Sequence, residues 1–252
     1  HHTILFPDEK NKCYTDDCNI RFDDNGNVIC IGEIDSENGK AETTSGYYFI
    51  KYSTAKQEPL EKKTFYFTNS FLEKNIQDEK LHQSKHLKGF YLNLLFPATD
   101  GGFFLVFTNL VFGNVHSRSG SVIIVKTDAT GAIAWEQMIL KDQPGDYNNK
   151  NYYGCMAFMS GGKLRIIYND NPDNINTQSI KDIKPVKDFY EGSKVFIKTY
   201  NNNGTVETDK FEQPTNLKLI FRPHDTFYNV PEVVYTMIFE NGCKCHRFGK
   251  IY

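Results

Sequence analysis

Two histidines four residues apart are the first candidates for chemistry in this sequence. His82 and His86 would lie on one face of a helix, a spacing that zinc sites use, and Asp78 and Glu79 are close by. The segment is polar, however, and no cysteine or further histidine is near it in sequence. We therefore favour two solvated histidines over a metal site.

A second cluster combines two thiols with an imidazole. Cys243 and Cys245 are separated by one residue, and His246 follows directly. Residues two apart on a strand share a face, so both thiols would point to one side and the imidazole to the other. This favours a disulfide or buried thiols over a metal site. Cys13 and Cys18 form another pair, for which disulfide and free thiol both remain open.

The oxygen-rich segment Asp23–Asn27 imitates the first ligands of a calcium-binding loop. Val28 stands where such a loop needs glycine, and Ile34 stands where it needs glutamate. A hairpin turn is therefore the better interpretation. The polar stretch that begins at Asn169 predicts a long, solvated surface loop extending to Lys187.

Motifs that define common enzyme classes are missing from the sequence. It has no Gly-x-Ser-x-Gly, Walker loop, dinucleotide-binding glycine pattern or His-Glu-x-x-His. We assign no catalytic and no metal-binding residue, identify no binding residue, and expect no cofactor. The net charge of −2 argues against nucleic acid or a membrane surface as partner, and no apolar run is long enough to span a bilayer.

A repeat supplies the elements that would position these residues. Three segments share a turn, an apolar run and a lysine, with glycines at Gly46, Gly120 and Gly192. They are Ser45–Tyr52, Ser119–Thr127 and Glu191–Thr199. The long spacing between these glycines suits a repeat that is a propeller blade with loop insertions. Their lysines, Lys51, Lys126 and Lys198, would occupy equivalent positions.

Further strands and turns recur in the same order around each of these segments. Earlier strands are predicted at Asn19–Phe22, Phe90–Phe96 and Tyr152–Phe158, and glycine turns with a following strand at Asn25–Ile31, Gly101–Phe107 and Gly161–Tyr168. Later turns and strands are predicted at Asp128–Trp135 and Asn201–Glu207, and a fourth unit at Leu217–Phe221, Val233–Phe239 and Cys243–Tyr252. Four antiparallel strands per unit predict an all-β protein, a β-propeller with about four four-stranded blades.

The organisation of the whole chain leaves two alternatives open. Residues 1–252 are expected to form a single propeller domain or the C-terminal part of a larger one. The start at His1 lacks the features of an export signal, so we expect a processed or shortened end. In a closed ring Thr3–Phe6 would supply the closing strand, whereas in part of a larger propeller it would pair with a blade outside this chain. Phe71–Leu87 is the one predicted helix, an insertion between blades.

The segment Ser119–Glu136 resembles the repeat of bacterial quinoprotein-like and PQQ-like propellers. It keeps Thr130, Gly131 and Trp135 of their motif but is one residue short between Asp128 and Thr130. Because the chain has one tryptophan, the resemblance does not imply pyrroloquinoline quinone binding. The overall composition resembles that of uncharacterised secreted or outer-membrane-associated propellers of the Bacteroidota, including lipoproteins, and implies an extracytoplasmic location.

These expectations lead to two hypotheses of function. The first is a non-catalytic binding or assembly module of the bacterial envelope or secreted fraction, which engages a protein or glycan through loops on one propeller face. The alternative is a sialidase-like glycan hydrolase, in which several arginines would converge on a substrate carboxylate. The arginines are Arg21, Arg118, Arg165, Arg222 and Arg247. In either case Trp135 should be buried against the next blade.

Overall fold

The computed structural model describes most of the chain as antiparallel β-sheet. The described residues are 13–35, 43–75, 87–112, 116–146, 152–186, 192–210, 219–221, 223, 227–230, 233–240 and 246–251. They form eighteen strands in four sheets that follow one another along the chain. The fold is all-β and of the β-propeller type, as the repeat predicted.

Each sheet is built from strands that are neighbours in sequence. Sheet 1 contains β1 (Cys13–Phe22), β2 (Val28–Asp35), β3 (Thr43–Ser53), β4 (Glu58–Tyr66) and β5 (Leu87–Lys88). Sheet 2 contains β6 (Phe90–Pro97), β7 (Phe103–Phe112), β8 (His116–Thr127), β9 (Ile133–Ile139) and β10 (Gln143–Asp146). Sheet 3 contains β11 (Met156–Ser160), β12 (Lys163–Asp170), β13 (Lys194–Tyr200) and β14 (Val206–Lys210). Sheet 4 contains β15 (Leu219–Phe221), β16 (Phe227–Val230), β17 (Val233–Glu240) and β18 (His246–Ile251).

The outer strand of sheets 1 and 2 is divided into two pieces. In sheet 1, both β4 and β5 pair with β3, and in sheet 2, both β9 and β10 pair with β8. Between the pieces the chain leaves the sheet. The excursion in sheet 1 includes helix α1 (Asn69–Asn75), whereas in sheet 2 it is the short segment from Leu140 to Asp142.

Alternating side chains of sheet 2 join it to the sheets on both sides. Phe103, Leu105 and Phe107 are buried in a cluster shared with sheet 1. Phe104 and Val106, which lie between them in sequence, are buried in a cluster shared with sheet 3. This alternation is the geometry of a strand that is covered on both faces. Each such side chain contributes roughly 1.5–3 kcal/mol by leaving water.

Four five-residue turns with a common hydrogen bond connect strands at the same end of these sheets. In each turn the first residue donates its N–H to the carbonyl of the fifth, at 2.9–3.0 Å. The fourth residue is a glycine with a φ of 74–84°, a conformation that favours glycine. The turns are Asp23–Asn27, Ala98–Gly102, Asp128–Ala132 and Asn201–Thr205. The first confirms the predicted hairpin turn.

The turn of one blade also receives a hydrogen bond from the preceding blade. The hydroxyl of Tyr47 in sheet 1 donates to the carbonyl of Gly131 at 2.8 Å. The indole N–H of Trp135 in sheet 2 donates to the carbonyl of Asn202, also at 2.8 Å. Consecutive sheets are therefore connected by directional bonds as well as by apolar contact.

Two of the three repeated lysines do occupy equivalent positions. Lys51 Nζ lies 2.8 Å from a carboxylate oxygen of Asp23, and Lys126 Nζ lies 2.8 Å from Asp100. Each carboxylate belongs to the first turn of the lysine's own sheet, and each lysine lies on the face toward the next sheet. The side chain of Lys126 is only 1% exposed, so Asp100 supplies its counter-charge.

Lys198 is the exception to this equivalence, which the sequence alignment of the three lysines did not predict. It pairs with Ile166, whose side chain packs toward sheet 2 rather than toward the next sheet. Counting back from the matching turns, Thr199 takes the position of Lys126. A shift of one residue reverses the face of a strand on which a side chain lies. Lys198 therefore faces the preceding sheet.

Substituting Asp100 with alanine should destabilise the fold by about 2 kcal/mol. The buried ammonium of Lys126 would keep only its bond to the carbonyl of Thr127, and losing a hydrogen bond to a charged group typically costs this much. Chemical denaturation measures the effect. The control is Asp24→Ala, an exposed position in the neighbouring sheet, and equal effects of the two substitutions would contradict the prediction.

Several predicted elements differ in detail from the structure. The helix begins at Asn69 and is described to Asn75; the remainder of the predicted Phe71–Leu87 segment up to residue 86 lies outside the described residues. Sheet 4 has an additional strand, β16. The strand predicted at Tyr152–Phe158 begins only at Met156. Residues 3–6, the proposed closing strand, are outside the described part. No helix among the described residues is long and apolar enough to cross a membrane.

Candidate binding groove

A groove of about 800 Å³ runs along the outer edge of sheet 2. Its floor is β9, from which six consecutive residues, 133–138, line the groove. Because β9 is the outermost strand, one of its edges pairs with β8. Among the described residues, no strand pairs with the other edge. Within the described part of the chain, the groove therefore contains an unpaired strand edge between two walls, which we name the free edge of β9.

Helix α1 of sheet 1 forms the first wall. Thr68 precedes this helix, and its hydroxyl accepts a hydrogen bond from the N–H of Phe71 at 3.3 Å, as a residue that caps a helix does. The carboxylate of Glu136 accepts the backbone N–H of Thr68 at 3.1 Å and its hydroxyl at 2.6 Å. Burial raises the pKa of Glu136, and these hydrogen bonds oppose the rise. Glu136 thus attaches the helix to the floor.

Sheet 3 forms the opposite wall through an aromatic pair. The rings of Trp135 and Tyr200 are stacked, with centroids 6.0 Å apart and planes inclined by 19°. Phe104 meets the indole edge to face at 6.0 Å. Gly204 lies so close that a Cβ there would be 3.3 Å from the indole. Both the apolar body and the N–H of Trp135 are therefore already engaged within the protein.

The segment Asn171–Val186 completes this second wall and is more ordered than the solvated loop that we predicted. It contains 3-10 turns at Pro172–Asn176 and Ile180–Asp182. The buried amide of Asn174 bonds to both the N–H and the carbonyl of Lys184 at 2.8 Å. The N–H of Val186 bonds to the carbonyl of Asp142 at 3.0 Å. The interior amide of Asn174 is what holds the segment in this shape.

Asp170 lies behind this wall, at the end of β12. Its side chain is buried, and Oδ1 accepts bonds from the N–H of Asn171 at 2.8 Å and from the amide of Asn174 at 3.0 Å. Burial raises the pKa of this carboxyl group to about 7, although its hydrogen bonds and the charges of Lys141 and Lys198 oppose the rise. Asp170 therefore titrates near neutral pH.

Lys141 forms a buried polar joint between sheets 2 and 3, directly after the groove-lining Leu140. Its Nζ donates to Ser119 Oγ at 2.7 Å and to Gln143 Oε1 at 2.8 Å. The amide of Gln143 reaches across to the carbonyl of Asn169 in sheet 3. Burial lowers the pKa of Lys141 to about 8. The joint fixes the two sheets that bound the groove.

Lys198 reaches the groove from β13, on the same face as Tyr200. Burial lowers its pKa, and the charge of Asp170 opposes this effect. No hydrogen bond or ion pair of its ammonium group is found within the described part of the chain. It is a partly buried cation without a contact partner there.

The candidate sites from the sequence do not coincide with this groove. His82, His86, Cys243 and Cys245 lie outside the described residues, as does Arg222. Cys18, Cys30 and Cys155 are free thiols. Arg21 donates to the carbonyl of Leu95 at 3.2 Å, Arg118 pairs with Asp142 at 2.7 Å, and Arg165 lies in β12. These three arginines belong to three different sheets and do not converge.

Trp135 and Lys198, both singled out from the sequence repeat, line the groove. Lys198 was expected to be equivalent to Lys126, whereas Trp135 was expected to contact the next blade. It packs against the next sheet as predicted, although its side chain is only partly buried. The free edge of β9 was missed, because an edge strand is recognised only once the pairing of its neighbours is known. No group of three or more side chains suited to hold a metal occurs among the described residues.

Comparison with known proteins finds similarity to solved structures. No family model matches the chain, and no curated protein matches it. An α-L-arabinanase from Penicillium chrysogenum, solved with arabinobiose, is similar over 92% of this chain at 10% sequence identity and a TM-score of 0.39. The match covers 60% of the arabinanase chain.

Proposed function

We propose that the protein is a non-catalytic binding module that holds an extended polypeptide segment along the free edge of β9. The observation that supports this proposal is the position of that edge, which lies at the floor of a groove with a wall on either side. An unpaired strand edge presents a row of backbone N–H and C=O groups, and an added strand satisfies them.

The dimensions of the groove fit such a ligand. β9 has seven residues, which at about 3.3 Å per residue give an edge of roughly 23 Å. An added strand would lie about 4.8 Å from β9, between helix α1 and the wall from sheet 3. Alternate side chains of the ligand would face these two walls, and backbone hydrogen bonds would supply affinity independent of sequence.

The aromatic pair supports a polypeptide over a glycan as the ligand. A sugar ring that stacks on an aromatic side chain requires an open ring face. Trp135 is stacked on Tyr200 and is approached by Phe104 and Gly204, so its ring is already packed.

The carboxylates of the groove support binding over hydrolysis. Glycoside hydrolysis requires two carboxyl groups that flank the scissile bond. Glu136 is the only carboxylate among the described residues that line the groove, and it holds Thr68. A glycan hydrolase is the alternative function, and the experiment must distinguish it from peptide binding. The resemblance to secreted and envelope propellers makes an extracytoplasmic place of action part of this proposal.

Selection from a displayed library of random octapeptides against the purified chain tests the proposal. Captured peptides should bind as strands, and amide hydrogen exchange of residues 133–139 should slow at least tenfold when they bind. Gln178→Trp should weaken binding at least tenfold, because Gln178 is an exposed residue that lines the groove. Lys181→Trp is the matched control, since Lys181 is exposed in the same segment and does not line it.

Methylation of the peptide backbone distinguishes strand addition from other modes of binding. In an added strand only every second N–H faces its partner strand, so N-methyl groups should abolish binding at alternate positions and be tolerated at those between. A uniform response, or no protection of residues 133–139, would contradict the proposal. Release of reducing sugar from arabinan or sialylated glycans would favour the hydrolase instead.

A further inference from the structure

We propose that the groove selects strands that carry an acidic side chain, which forms an ion pair with Lys198. The inference rests on the proposed function and adds a specificity to it. It follows from the placement of Lys198 in the wall of the groove and from the charges that surround it.

The position of Lys198 gives the acidic residue a defined place in the ligand. Lys198 and Thr208 pair across β13 and β14, and both line the wall that sheet 3 contributes. A strand added to β9 would turn every second side chain toward this wall, on the side of Trp135 and Gln137. Only the ligand residues whose side chains face this wall, which are every second residue, could reach Lys198.

The charges of the groove are complementary to an acid. Its described lining contains two lysines, Lys74 and Lys198, and one carboxylate, Glu136. Both oxygens of Glu136 accept bonds from Thr68, so that charge serves the helix cap. Lys74 belongs to α1 in the opposite wall and is exposed. The groove therefore presents an excess of positive charge. Of its two ammonium groups, that of Lys198 is the less exposed to water.

Within the described residues, the charge that favours the protonated form of Lys198 is that of Asp170, which acts on it without a hydrogen bond or ion pair. The oxygen Oδ1 of Asp170 is occupied by Asn171 and Asn174. A partly desolvated ammonium without a hydrogen-bonded counter-charge is costly. A ligand carboxylate that enters from the groove would remove this cost.

The experiment uses peptides captured from the random octapeptide library by the purified chain. Wild-type selections should be enriched in Asp or Glu at alternate positions, and selections against Lys198→Met should lose this enrichment. A captured peptide is then synthesised with Glu and with Gln at the enriched position. Glu→Gln should weaken binding to the wild type about tenfold, which corresponds to one charge-assisted hydrogen bond, and less than twofold to Lys198→Met.

The controls separate this inference from the proposed function. Lys74→Met removes a charge from the opposite wall and should leave the preference for Glu intact. If the Gln peptide binds the Lys198→Met variant as tightly as it binds the wild-type protein, the groove of the variant is folded. Equal affinities of the Glu and Gln peptides for the wild type would overturn the acidic preference while strand addition stands. Failure to capture any peptide would overturn both.

Discussion

Replacing Asp170 with asparagine should make the protein more stable above neutral pH, by up to about 4 kcal/mol at pH 8. Burial raises the pKa of this carboxyl group from 3.8 to about 7. The folded state therefore retains a proton that the unfolded chain releases between about pH 4 and 7, so the free energy of unfolding of the wild type falls as the pH rises through this window. Asparagine has no proton to release.

The substitution also keeps the local structure, so a difference in stability between the variant and the wild type reports the ionisation of Asp170. Both hydrogen bonds to Asp170 end on Oδ1, and an asparagine Oδ1 can accept both. Urea denaturation of the two proteins from pH 4 to pH 8 should show curves that coincide at the acidic end and diverge toward pH 8. Gln178→Asn, an uncharged substitution at an exposed position in the same segment, should leave the wild-type dependence unchanged. Parallel curves for Asp170→Asn and the wild type would contradict the prediction.

Trp135→Ala should lower the free energy of unfolding by roughly 3–5 kcal/mol. The substitution removes the stacking on Tyr200, the edge contact with Phe104 and the hydrogen bond to the carbonyl of Asn202. These contacts connect sheets 2 and 3, so the loss should affect the joint between two blades. Guanidinium denaturation measures the change.

Trp135→Phe serves as the matched variant for this prediction. Phenylalanine keeps most of the apolar contact but cannot donate to Asn202, and a lost hydrogen bond typically costs about 1 kcal/mol. The alanine variant should therefore be clearly less stable than the phenylalanine variant. A loss below about 1 kcal/mol for alanine would show that the indole does not support the joint between the sheets.

The fold could be predicted because its signals are local. Alternating apolar residues, as in Phe103–Phe107, and glycine turns such as the one at Gly131 repeat in the same order. Both specify a strand or a turn without knowledge of distant residues. The sequence also predicted the fourth unit, although the four-residue strand β16 was missed.

The groove could not be predicted from the same signals. Its floor depends on which strand is outermost, and its walls come from α1 and from the segment after Asp170, which are far apart in sequence. The alignment of Lys198 with Lys126 was wrong for a different reason. Both follow an apolar run, but Lys126 lies five residues before Gly131 and Lys198 lies six before Gly204. Alignment on the apolar run instead of on the following glycine turn concealed this shift, which reverses the face of Lys198.

That shift shows how a repeated scaffold can acquire specificity without a new kind of residue. Lys51 and Lys126 are structural, since each neutralises a carboxylate of its own first turn. The first turn of sheet 3, at Gly161 and Gly162, contains no carboxylate, so a lysine at the matching position would have had no such role. Displaced by one residue, Lys198 is released from the scaffold and presented to a neighbouring surface. In a duplicated strand, a single insertion or deletion is thus enough to move a lysine from an ion pair within its own sheet to a position that faces another surface. The pairing of the sheet remains intact.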